Sequence, residues 1–587
     1  MFERLLIANR GEIAIRVIRA CRDLGITPIA VYSDADRDAL HVKLADEAHL
    51  LGEAAPSESY LNIDKIMQVA KATGAQAIHP GYGFLSENAD LVRACEEAGI
   101  SFVGPPAHAM EQMGDKISAR KAAEAAKAPF VPGTMEPVTD IEEVRAFGAE
   151  HGFPIAIKAA FGGGGRGFKV INSEKEIEEA VAGAQREAKL AFGRDEIYIE
   201  RYLRNARHVE AQIIADHHGK VLFMGERDCS LQRRHQKLVE ESPCPVITSE
   251  VRDRIREVSV QVAQAVGYTN AGTVEYLLDE DRTRFYFMEM NTRLQVEHPV
   301  TEMVTGVDLA VWQIRVAAGE PLPFEQAEIR AHGHAIEVRI NAEDPSRGRF
   351  LPAPGRIGAY REPSGPGVRV DAGFIGNAEI PRSYDSMIAK LITWGADREE
   401  ARRRMLRALE EYQIEGVKTV IPFHKAIMAD QRFIDSEIHT AYVEKEMDLS
   451  GLEHPPVTKV EADAQVEPQE ISVEVDGKRF GVVVHGGMVP QSRQRPSEAA
   501  KPTAPSSGGG ATQTADGETI VEAPMQGTIV KLSVEEGASV KEGDLLVVLE
   551  AMKMENHINA PRDGVVKKLP VSVGQNVESG TLIALIG

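Results

Sequence analysis

The chain has 587 residues and a formal net charge of −22, with 43% hydrophobic and 27% charged residues. At roughly 150 residues per domain, this length predicts about three to five domains. The acidic balance argues against nucleic acid as the main partner, because binding a phosphate backbone requires a clustered basic surface. Four scattered cysteines form no CxxC pair and indicate free thiols in a reducing compartment: Cys21, Cys95, Cys229 and Cys244.

The N-terminus shows no targeting or membrane-spanning pattern. Charged residues interrupt its apolar run at Glu3, Arg4, Arg10 and Glu12, and no stretch of about 20 apolar residues occurs in the chain. We therefore expect a cytoplasmic protein with no membrane partner.

The first segment, "RLLIANRGEIAIRVIRACRDLGITPIAVYSDAD", predicts a strand, a helix and a second strand. Apolar residues recur at helical spacing between Ile13 and Leu24, so the three elements form a βαβ unit. Many α/β enzymes begin in this way. The segment has no GxGxxG motif, which leaves a dinucleotide-binding role with little support.

A glycine-rich loop is a more specific signal than the βαβ unit. In "PIAIKAAFGGGGRGFKV" a short strand ends at Lys158, and the glycine run with Arg166 precedes another strand. Residues without side chains let successive backbone N–H groups surround an anion, and the two cations can supply counter-charge to phosphates. The loop does not match GxxxxGK[ST], and by itself a simple glycine hairpin is the alternative interpretation.

Candidate oxygen ligands for a metal ion follow about 120 residues after the glycine-rich loop. In "YFMEMNTRLQVEHPVTEM" the period of a strand places Glu289 and Asn291 on one face, and Glu275 lies upstream in "GTVEYL". Such ligands suit Mg²⁺ or Mn²⁺ that bridges nucleotide phosphates. The alternative is an exposed charged strand edge, but the aromatic run 285–287 favours a mostly buried strand.

Two segments separate the body from the tail. "ISVEVDGKRFGVVVHG" predicts a β-hairpin with Asp476 and Gly477 at its turn, in a structural or docking role. The stretch 487–517 is rich in Pro, Ser, Ala, Gly and Thr and predicts a flexible linker with a mean reach of roughly 30 Å. A passive spacer is the alternative to a functional tether.

The tail contains an internal repeat. The segments that start at Ala523 and Ala560 align without a gap, and Gly537 coincides with Gly574. Short alternating runs between matched glycines predict two similar halves in one small sheet sandwich or flattened barrel. The segment 550–559 connects the halves and contains Lys553, so we expect this lysine on an exposed hairpin tip.

The tail resembles a biotinyl carrier domain, whose family motif is a Met-Lys-Met tip between two such halves. "AMKM" implies that Lys553 is the biotin attachment site. Lipoyl domains share this architecture and are the main competitor. Their tip usually has an acidic residue before the lysine and a small residue after it.

From Met1 to about residue 447 the chain resembles the biotin carboxylase branch of the ATP-grasp enzymes. The resemblance is carried, in order, by "GDKISARK", "IKAAFGGGGRG", "YIERYL", "RHVEAQI", "RDCSLQRRHQKLVEESP", "EMNTRLQVEHPVTE" and "EVRINAEDP". It implies an α/β N-terminal subdomain (1–114), an α+β ATP-grasp domain (115–325) and a C-terminal subdomain (326–447). A small β region (448–486), the linker (487–517) and an all-β biotinyl domain (518–587) complete the expected organisation.

The resemblance also implies the reaction and its nucleotide site. In this family ATP phosphorylates bicarbonate to carboxyphosphate, which decomposes to CO₂ and phosphate, and biotin is then carboxylated. The phosphate positions are Lys116, Lys158, Gly162, Gly163, Gly164, Gly165, Arg166 and Gly167, and the adenine positions are Glu200 and Leu203. The positions that line the nucleotide and phosphate region are His208, Gln232, His235 and Lys237.

The remaining family positions concern metals, bicarbonate and biotin. Two Mg²⁺ or Mn²⁺ ions are expected on Glu275, Glu289 and Asn291, and bicarbonate on Arg293, Gln295, Val296, Glu297 and Lys237. Glu297 matches the general base, Arg339 the residue that stabilises the enolate-like biotin anion, and Tyr82 a biotin contact. The catalytic set is therefore Glu297, Arg339, Lys237 and Arg293.

No segment is long enough for the domains that bind acyl-CoA, so a separate carboxyltransferase β subunit is implied. The expected acceptors are acetyl-CoA or propionyl-CoA; methylcrotonyl-CoA and pyruvate are alternatives, and a lipoyl-type carrier protein is a more distant one. We also expect a biotin protein ligase as partner and a homo-oligomer within a larger complex.

Overall fold

The computed structural model describes residues 1–134, 137–138, 140–159, 169–192, 197–458, 469–475, 478–484, 519–523, 527–551, 554–577 and 581–587. Only the backbone is described at 116–117, 158–159, 187–192, 469–475, 478–484, 550–551 and 554–555. The chain divides into two compact units, Met1–Gln465 and Val466–Gly587. The first contains the body and the second contains the tail.

The N-terminal part of the first unit is a parallel sheet with helices. Its elements are β1 (Arg4–Ile7), α1 (Gly11–Asp23), β2 (Thr27–Ser33), α2 (Leu40–Leu44), β3 (Glu47–Gly52), α3 (Ile63–Thr73), β4 (Ala77–His79), α4 (Ala89–Ala98), β5 (Ser101–Phe102) and α5 (Ala107–Gly114). The strand order is β3-β2-β1-β4-β5, and β1 pairs with β2 in parallel, as the βαβ pattern predicts. Leu5, Leu6 and Ile7 are fully buried because the sheet is covered on both faces.

The next region contains a small lobe and the start of a large sheet. Its elements are α6 (Lys116–Ala125), α7 (Ile141–His151), β6 (Ile155–Ala159), β7 (Lys169–Ile171), α8 (Ile177–Phe192), β8 (Ile197–Arg201), β9 (Arg207–Ala215), β10 (Val221–Arg233), β11 (Gln236–Ser242), α9 (Ser249–Ala265), β12 (Asn270–Leu278), β13 (Phe285–Asn291), α10 (His298–Thr305) and α11 (Leu309–Ala317). The order β7-β6-β8 forms a three-stranded antiparallel sheet against which α8 packs.

The C-terminal part of this unit adds further strands to the large sheet. Its elements are β14 (His334–Asn341), β15 (Glu343–Asp344), β16 (Leu351–Pro352), β17 (Gly355–Arg356), β18 (Tyr360–Arg361), β19 (Val368–Ala372), β20 (Glu379–Ile380), β21 (Met387–Gly395), α12 (Arg398–Glu411), β22 (Gln413–Ile414), α13 (Ile421–Ala429), α14 (Gln431–Ile434) and α15 (Tyr442–Lys445). The complete order is β13-β12-β9-β10-β11-β14-β21-β19. Since β11 pairs with β14, one sheet crosses the domain boundary expected at residue 325.

The large sheet has one apolar face and one charged face. On β14, Ile336, Val338 and Ile340 are fully buried in a core shared with α12 and α13, while Glu337 and Arg339 alternate onto the opposite face. Helix α10 packs against β10, β11, β14 and β21. The charged face is therefore largely covered by other parts of the protein. Its charged side chains require ion-pair or hydrogen-bond partners there.

The second unit begins with the predicted hairpin. It consists of β23 (Gln469–Val475) and β24 (Lys478–Val484), which pair in antiparallel fashion from Gln469 with Val484 to Val475 with Lys478. The predicted turn residues Asp476 and Gly477, and the predicted linker 487–517, lie outside the described residues.

The tail is a sandwich of two four-stranded sheets, as the repeat predicts. Its strands are β25 (Thr519–Glu522), β26 (Gly527–Leu532), β27 (Ser539–Val540), β28 (Leu545–Ala551), β29 (Met554–Asn559), β30 (Gly564–Lys568), β31 (Asn576–Val577) and β32 (Leu582–Ile586). A shift of about 37 residues converts the sheet order β25-β32-β30-β27 into β29-β28-β26-β31. Gly537 and Gly574 have φ angles of +90° and +87°, so the repeated glycines serve the same left-handed turn.

One detail of the repeat prediction is wrong. Most of the segment 550–559, expected as a connection, is strand β29 paired with β28 from Ala551 opposite Met554. The pattern underestimated this strand because its polar residues alternate with few apolar ones. The chain between the paired strands is only residues 552–553, and Lys553 lies outside the described residues.

A buried ion cluster joins the large sheet to α12 and yields a test of stability. Glu241 on β11 accepts from Arg398 at 2.6 Å and lies 2.8 Å from His334 Nε2. Burial raises the pKa of Glu241, but Arg398 and His334 outweigh it and hold the pKa at about 2. The carboxylate therefore stabilises the fold above its unfolded pKa, and this contribution is lost as the pH falls toward 2.

We expect Glu241→Gln to lower the free energy of unfolding by about 3 kcal/mol at pH 7, at about 1.4 kcal/mol per pKa unit. Denaturant unfolding at pH 7 and at steps from pH 5 to pH 3 should show the difference from wild type shrinking over the acidic steps. Glu257→Gln on the exposed side of α9 is the control and should change little. A difference that stays constant with pH would contradict the assignment.

Candidate active site

The pairing of β9, β11, β12 and β14 within one sheet brings charged side chains to one place. His208 and Glu210 come from β9, Lys237 and Glu240 from β11, Glu275 from β12 and Arg339 from β14. Glu297 reaches the same place as the residue immediately before α10. The four glutamates are buried, so their charges depend on neighbouring cations rather than on water.

Lys237 lies at the centre of this cluster. Its Nζ donates to Glu297 Oε1 at 2.8 Å and to Glu275 Oε1 at 3.1 Å, and it also contacts Glu210. Gln295 Oε1 accepts from it at 3.3 Å. Burial lowers the pKa of Lys237, but the surrounding carboxylates raise it well above its ordinary value. The lysine is therefore a permanent cation in the site.

Glu297 is held between two cations. Arg339 Nη2 donates to Glu297 Oε2 at 2.9 Å while Arg339 Nε donates to Glu240 Oε1 at 2.7 Å. Burial raises the pKa of Glu297, but Lys237 and Arg339 outweigh it, so the net pKa lies well below the ordinary value. A fully buried carboxylate thus stays ionised and able to accept a proton.

The proposed metal ligands lie at the edge of the sheet. Glu275 and Glu289 are directly opposite each other on β12 and β13, and Asn291 Nδ2 donates to Glu275 Oε1 at 2.8 Å. Partial desolvation by the surrounding protein and the nearby Glu275 and Glu87 carboxylates raise the pKa of Glu289, although its side chain remains exposed. Closely placed carboxylates that repel one another fit a divalent cation with oxygen ligands.

The interpretation of β13 as a mostly buried strand is only partly right. Residues 285–287 are buried, but Met288 and Glu289 are exposed because β13 is the edge strand of the sheet. A further set was not predicted: ligand atoms of His208, Glu210 and Glu275 lie within 4.8 Å of one another. His208 Nε2 is 3.0 Å from Glu275 Oε2.

The predicted bicarbonate residues form the connection between β13 and α10. Arg293 Nη2 donates to Asn291 Oδ1 at 2.9 Å, and Gln295 Nε2 donates to Glu275 Oε1 at 2.9 Å. The Val296 carbonyl accepts from Lys390 Nζ at 2.8 Å. All three residues are therefore tied to the cluster around Glu297.

Tyr82 reaches the same face from the N-terminal sheet. Its hydroxyl donates to Glu12 on α1, and Glu12 Oε1 lies 3.2 Å from Lys390 Nζ. The Lys390 ammonium lies 5.9 Å from the centroid of the Tyr82 ring. The predicted biotin contact and the bicarbonate loop are thus connected through two buried charged groups.

The predicted nucleotide residues are spread over several elements. Gln232 is buried opposite Lys237, and His235 is exposed at the β10–β11 turn with φ +63°. Glu200 on β8 pairs with Ala156, and Leu203 follows that strand. Only the backbone is described for Lys116, which begins α6, and for Lys158 on β6. The loop residues Gly162, Gly163, Gly164, Gly165, Arg166 and Gly167 lie outside the described residues.

Several charged residues that contact the predicted set were missed. Glu210, Glu240 and Lys390 are described above, and Arg227 is fully buried with Nη2 at 3.0 Å from Glu210 Oε2. Alternation in "RHVEAQI" could have identified Glu210, two residues after His208. Arg227 and Glu240 lie within the quoted segment "RDCSLQRRHQKLVEESP" but were not singled out there, whereas Lys390 comes from β21, which is distant in sequence and carried no motif.

Comparison with known proteins accounts for almost the whole chain. Family models match for "Biotin carboxylase, N-terminal domain" at residues 1–110 and "Carbamoyl-phosphate synthase L chain, ATP binding domain" at 115–325. "Biotin carboxylase C-terminal domain" matches residues 337–445 and "Biotin-requiring enzyme" matches 519–586. These segments correspond to the body and to the sandwich of the tail.

Individual relatives agree. The chain is 48% identical over 565 residues to the biotin-dependent acyl-coenzyme A carboxylase alpha3 subunit of Mycobacterium leprae, covering 94% of each chain. It is 52% identical to the biotin carboxylase of Haemophilus influenzae, covering 77% of this chain and 100% of the relative. A pyruvate carboxylase subunit of Methanothermobacter thermautotrophicus is 54% identical over 445 residues, 76% of this chain and 90% of the relative.

Solved structures match the body. The biotin carboxylase domain of a thermophilic 2-oxoglutarate carboxylase bound to bicarbonate has a TM-score of 0.73 and 47% identity, covering 76% of this chain and 98% of its own. The biotin carboxylase of Campylobacter jejuni has a TM-score of 0.70 and 46% identity, covering 76% and 99%. The chain therefore belongs to the family of biotin-dependent acyl-coenzyme A carboxylase alpha subunits, ligases that join an ATP-dependent biotin carboxylase to a biotinyl domain.

Proposed function

We propose that the charged cluster beneath α10 activates bicarbonate and that Glu297 is its general base. The observation that carries this assignment is the buried Glu297 carboxylate, which both Lys237 and Arg339 hold within 3 Å. A base must be ionised before the substrate arrives, and these two cations keep it so. An ordinary ion pair would need only one cation.

The neighbouring residues supply binding and charge stabilisation. Arg293, Gln295 and Val296 bind the bicarbonate, and Glu297 removes its proton. Negative charge then develops on the substrate oxygens, where the Lys237 ammonium stabilises it, and the Arg339 guanidinium stabilises the enolate-like biotin anion. Because both cations are fixed by hydrogen bonds before the reaction, little reorganisation is needed.

The nucleotide and metal positions follow from the same sheet. Glu275, Glu289 and Asn291 would hold two Mg²⁺ or Mn²⁺ ions, and such ions would supply positive charge to the transferring phosphoryl group. Glu200 and Leu203 would hold the adenine and His208, Gln232 and His235 the nucleotide. The phosphate-binding positions are Lys116, Lys158 and the loop 162–167, and their support is the motif in the sequence.

Biotin on Lys553 would accept the carboxyl group at a nitrogen of its ureido ring. The support is the position of this lysine in the two-residue link between the paired ends of β28 and β29. A biotin protein ligase would attach the group, and the linker 487–517 would let the domain travel between active sites.

The acceptor is proposed to be acetyl-CoA or propionyl-CoA, on a separate carboxyltransferase β subunit. A relative that matches through both body and tail is named an acyl-coenzyme A carboxylase, whereas the match to the pyruvate carboxylase relative spans 445 residues. A role with pyruvate or methylcrotonyl-CoA is the second candidate. Copurification of the β subunit from the native cell would decide between them.

We further propose that the chain works in the cytoplasm and as a homo-oligomer within the larger complex. Among the described residues, every helix is too short or too polar to cross a bilayer. Size-exclusion chromatography of the purified chain with light scattering would test the oligomer.

The substitution Arg339→Lys tests whether one side chain must contact both Glu240 and Glu297. A lysine ammonium lacks the planar fork that contacts Glu240 and Glu297 together, so we expect kcat for carboxylation of free biotin to fall about 100-fold. The measurement is bicarbonate-dependent ATP hydrolysis in the presence of free biotin. Arg398→Lys, which alters a paired arginine bound to Glu241, is the control. A rate within twofold of wild type would contradict the role of Arg339.

Lys553→Ala tests the carrier. We expect this variant to keep carboxylating free biotin but to lose acyl-CoA carboxylation, because only the attached group can reach the second active site. Mass spectrometry of the tail should show biotin on the wild type and on Lys541→Ala, an exposed lysine of the same domain. If the Lys553 variant still carboxylates acyl-CoA without added biotin, the carrier role is wrong.

A further inference from the structure

We propose that Lys390 is a positioning residue for bicarbonate activation: its ammonium holds the Val296 carbonyl and thereby orients Glu297. The inference rests on the proposed function of the loop between β13 and α10. Lys390 is on β21, outside every motif that the sequence singled out, and its side chain is 0% exposed. The contacts of its buried ammonium indicate this positioning role.

Lys390 makes one backbone contact and one close ion pair. Nζ donates to the Val296 carbonyl at 2.8 Å and lies 3.2 Å from Glu12 Oε1 and 4.0 Å from Asp371 Oδ2. Burial lowers the pKa of Lys390, but Glu12 and the other nearby carboxylates raise it overall, so the amine remains charged. A charged donor makes a shorter and stronger hydrogen bond to a carbonyl than a neutral donor does.

The register of the sheet places Lys390 and Arg339 next to the same loop, which connects β13 to α10. Lys390 on β21 is directly opposite Arg339 on β14. Arg339 holds the side chain of Glu297 at 2.9 Å, and Lys390 holds the carbonyl of the residue before it. Because the Val296 carbonyl and the Glu297 N–H belong to one planar peptide, fixing the carbonyl fixes the direction in which Glu297 leaves the backbone.

The preceding peptide is also held. His298 Nδ1 lies 2.8 Å from the Gln295 carbonyl, so two consecutive carbonyls of the loop have side-chain partners. One partner comes from α10 and the other from β21. The loop that is proposed to bind bicarbonate is therefore fixed from both the helix and the sheet.

The electrostatic cost of this arrangement argues for a role. Like charges directly opposite on neighbouring strands repel each other, and each buried ion loses its hydration. Apolar side chains of similar size would pack a sheet at lower cost. The charge at position 390 has one backbone target among its described contacts, and that target adjoins the proposed base.

The test separates positioning from packing by keeping the charge balanced. Lys390→Met alone leaves Glu12 buried without its partner, so the double variant Lys390→Met with Glu12→Gln removes both charges. Bicarbonate-dependent ATP hydrolysis with free biotin is measured on the full-length biotinylated chain, together with the thermal midpoint. Glu12→Gln alone keeps the Lys390 contact with Val296.

We expect kcat/KM for bicarbonate to fall about 100-fold in the double variant, while KM for ATP and the thermal midpoint change little. Glu12→Gln alone should stay within about threefold of wild type for bicarbonate. If the double variant has wild-type constants for bicarbonate, Lys390 does not position the loop. If KM for ATP shifts as much as kcat/KM for bicarbonate, the effect is not specific to the loop, and the proposal is also wrong.

A matched control is the buried pair of Arg207 and Asp228. Arg207 contacts Asp228 at 2.7 Å and the carbonyls of Ser436 and Ile438, so it combines a carboxylate and backbone targets as Lys390 does. Arg207→Met with Asp228→Asn should leave kcat/KM for bicarbonate within threefold. A Lys390 double variant less stable than this control would show a packing role and overturn the proposal.

Measurements on the wild-type protein distinguish a failure of the proposed function from a failure of the inference about Lys390. If wild type shows no bicarbonate-dependent ATP hydrolysis, the proposed function fails and the inference fails with it. If wild type is active and the Lys390 double variant equals it, only the inference fails.

Discussion

The body depends on one buried carboxylate, Glu297, between two cations from different strands. Ionising a carboxyl group in a protein interior is costly, and it persists only where nearby charges offset the lost hydration. Lys237 comes from β11, Arg339 from β14 and Glu297 from the start of α10. The position of the helix on the sheet, and the pairing of β11 with β14, are therefore conditions for the proposed chemistry.

This requirement explains the division of the large sheet into two faces. The apolar face packs against helices such as α12 and supplies burial, while the opposite face collects charges that no small core could accept. Lys237 and Arg339 each contact more than one carboxylate, and Lys390 contacts a carboxylate and a backbone carbonyl. The arrangement is a network rather than a set of pairs, so removing one member should disturb several others.

The tail is built from two similar halves of the sequence. Two sheets related by a shift of about 37 residues bury one shared core, and neither half has enough apolar surface to be stable alone. The link between β28 and β29 contains the lysine, whereas the repeat provides only one such link between its halves. A symmetric scaffold therefore contains a single position for the proposed modification.

The sequence by itself determined the elements, the duplication and most of the proposed site. Period-two alternation placed Glu289 and Asn291 on one face of a strand, and glycines at matching positions predicted the sandwich, because both patterns are local. The tertiary structure alone decided that one sheet crosses residue 325, that Glu289 is on an edge strand, and that Lys390 meets Val296. Those facts depend on which distant strands become neighbours, and no local periodicity encodes that pairing.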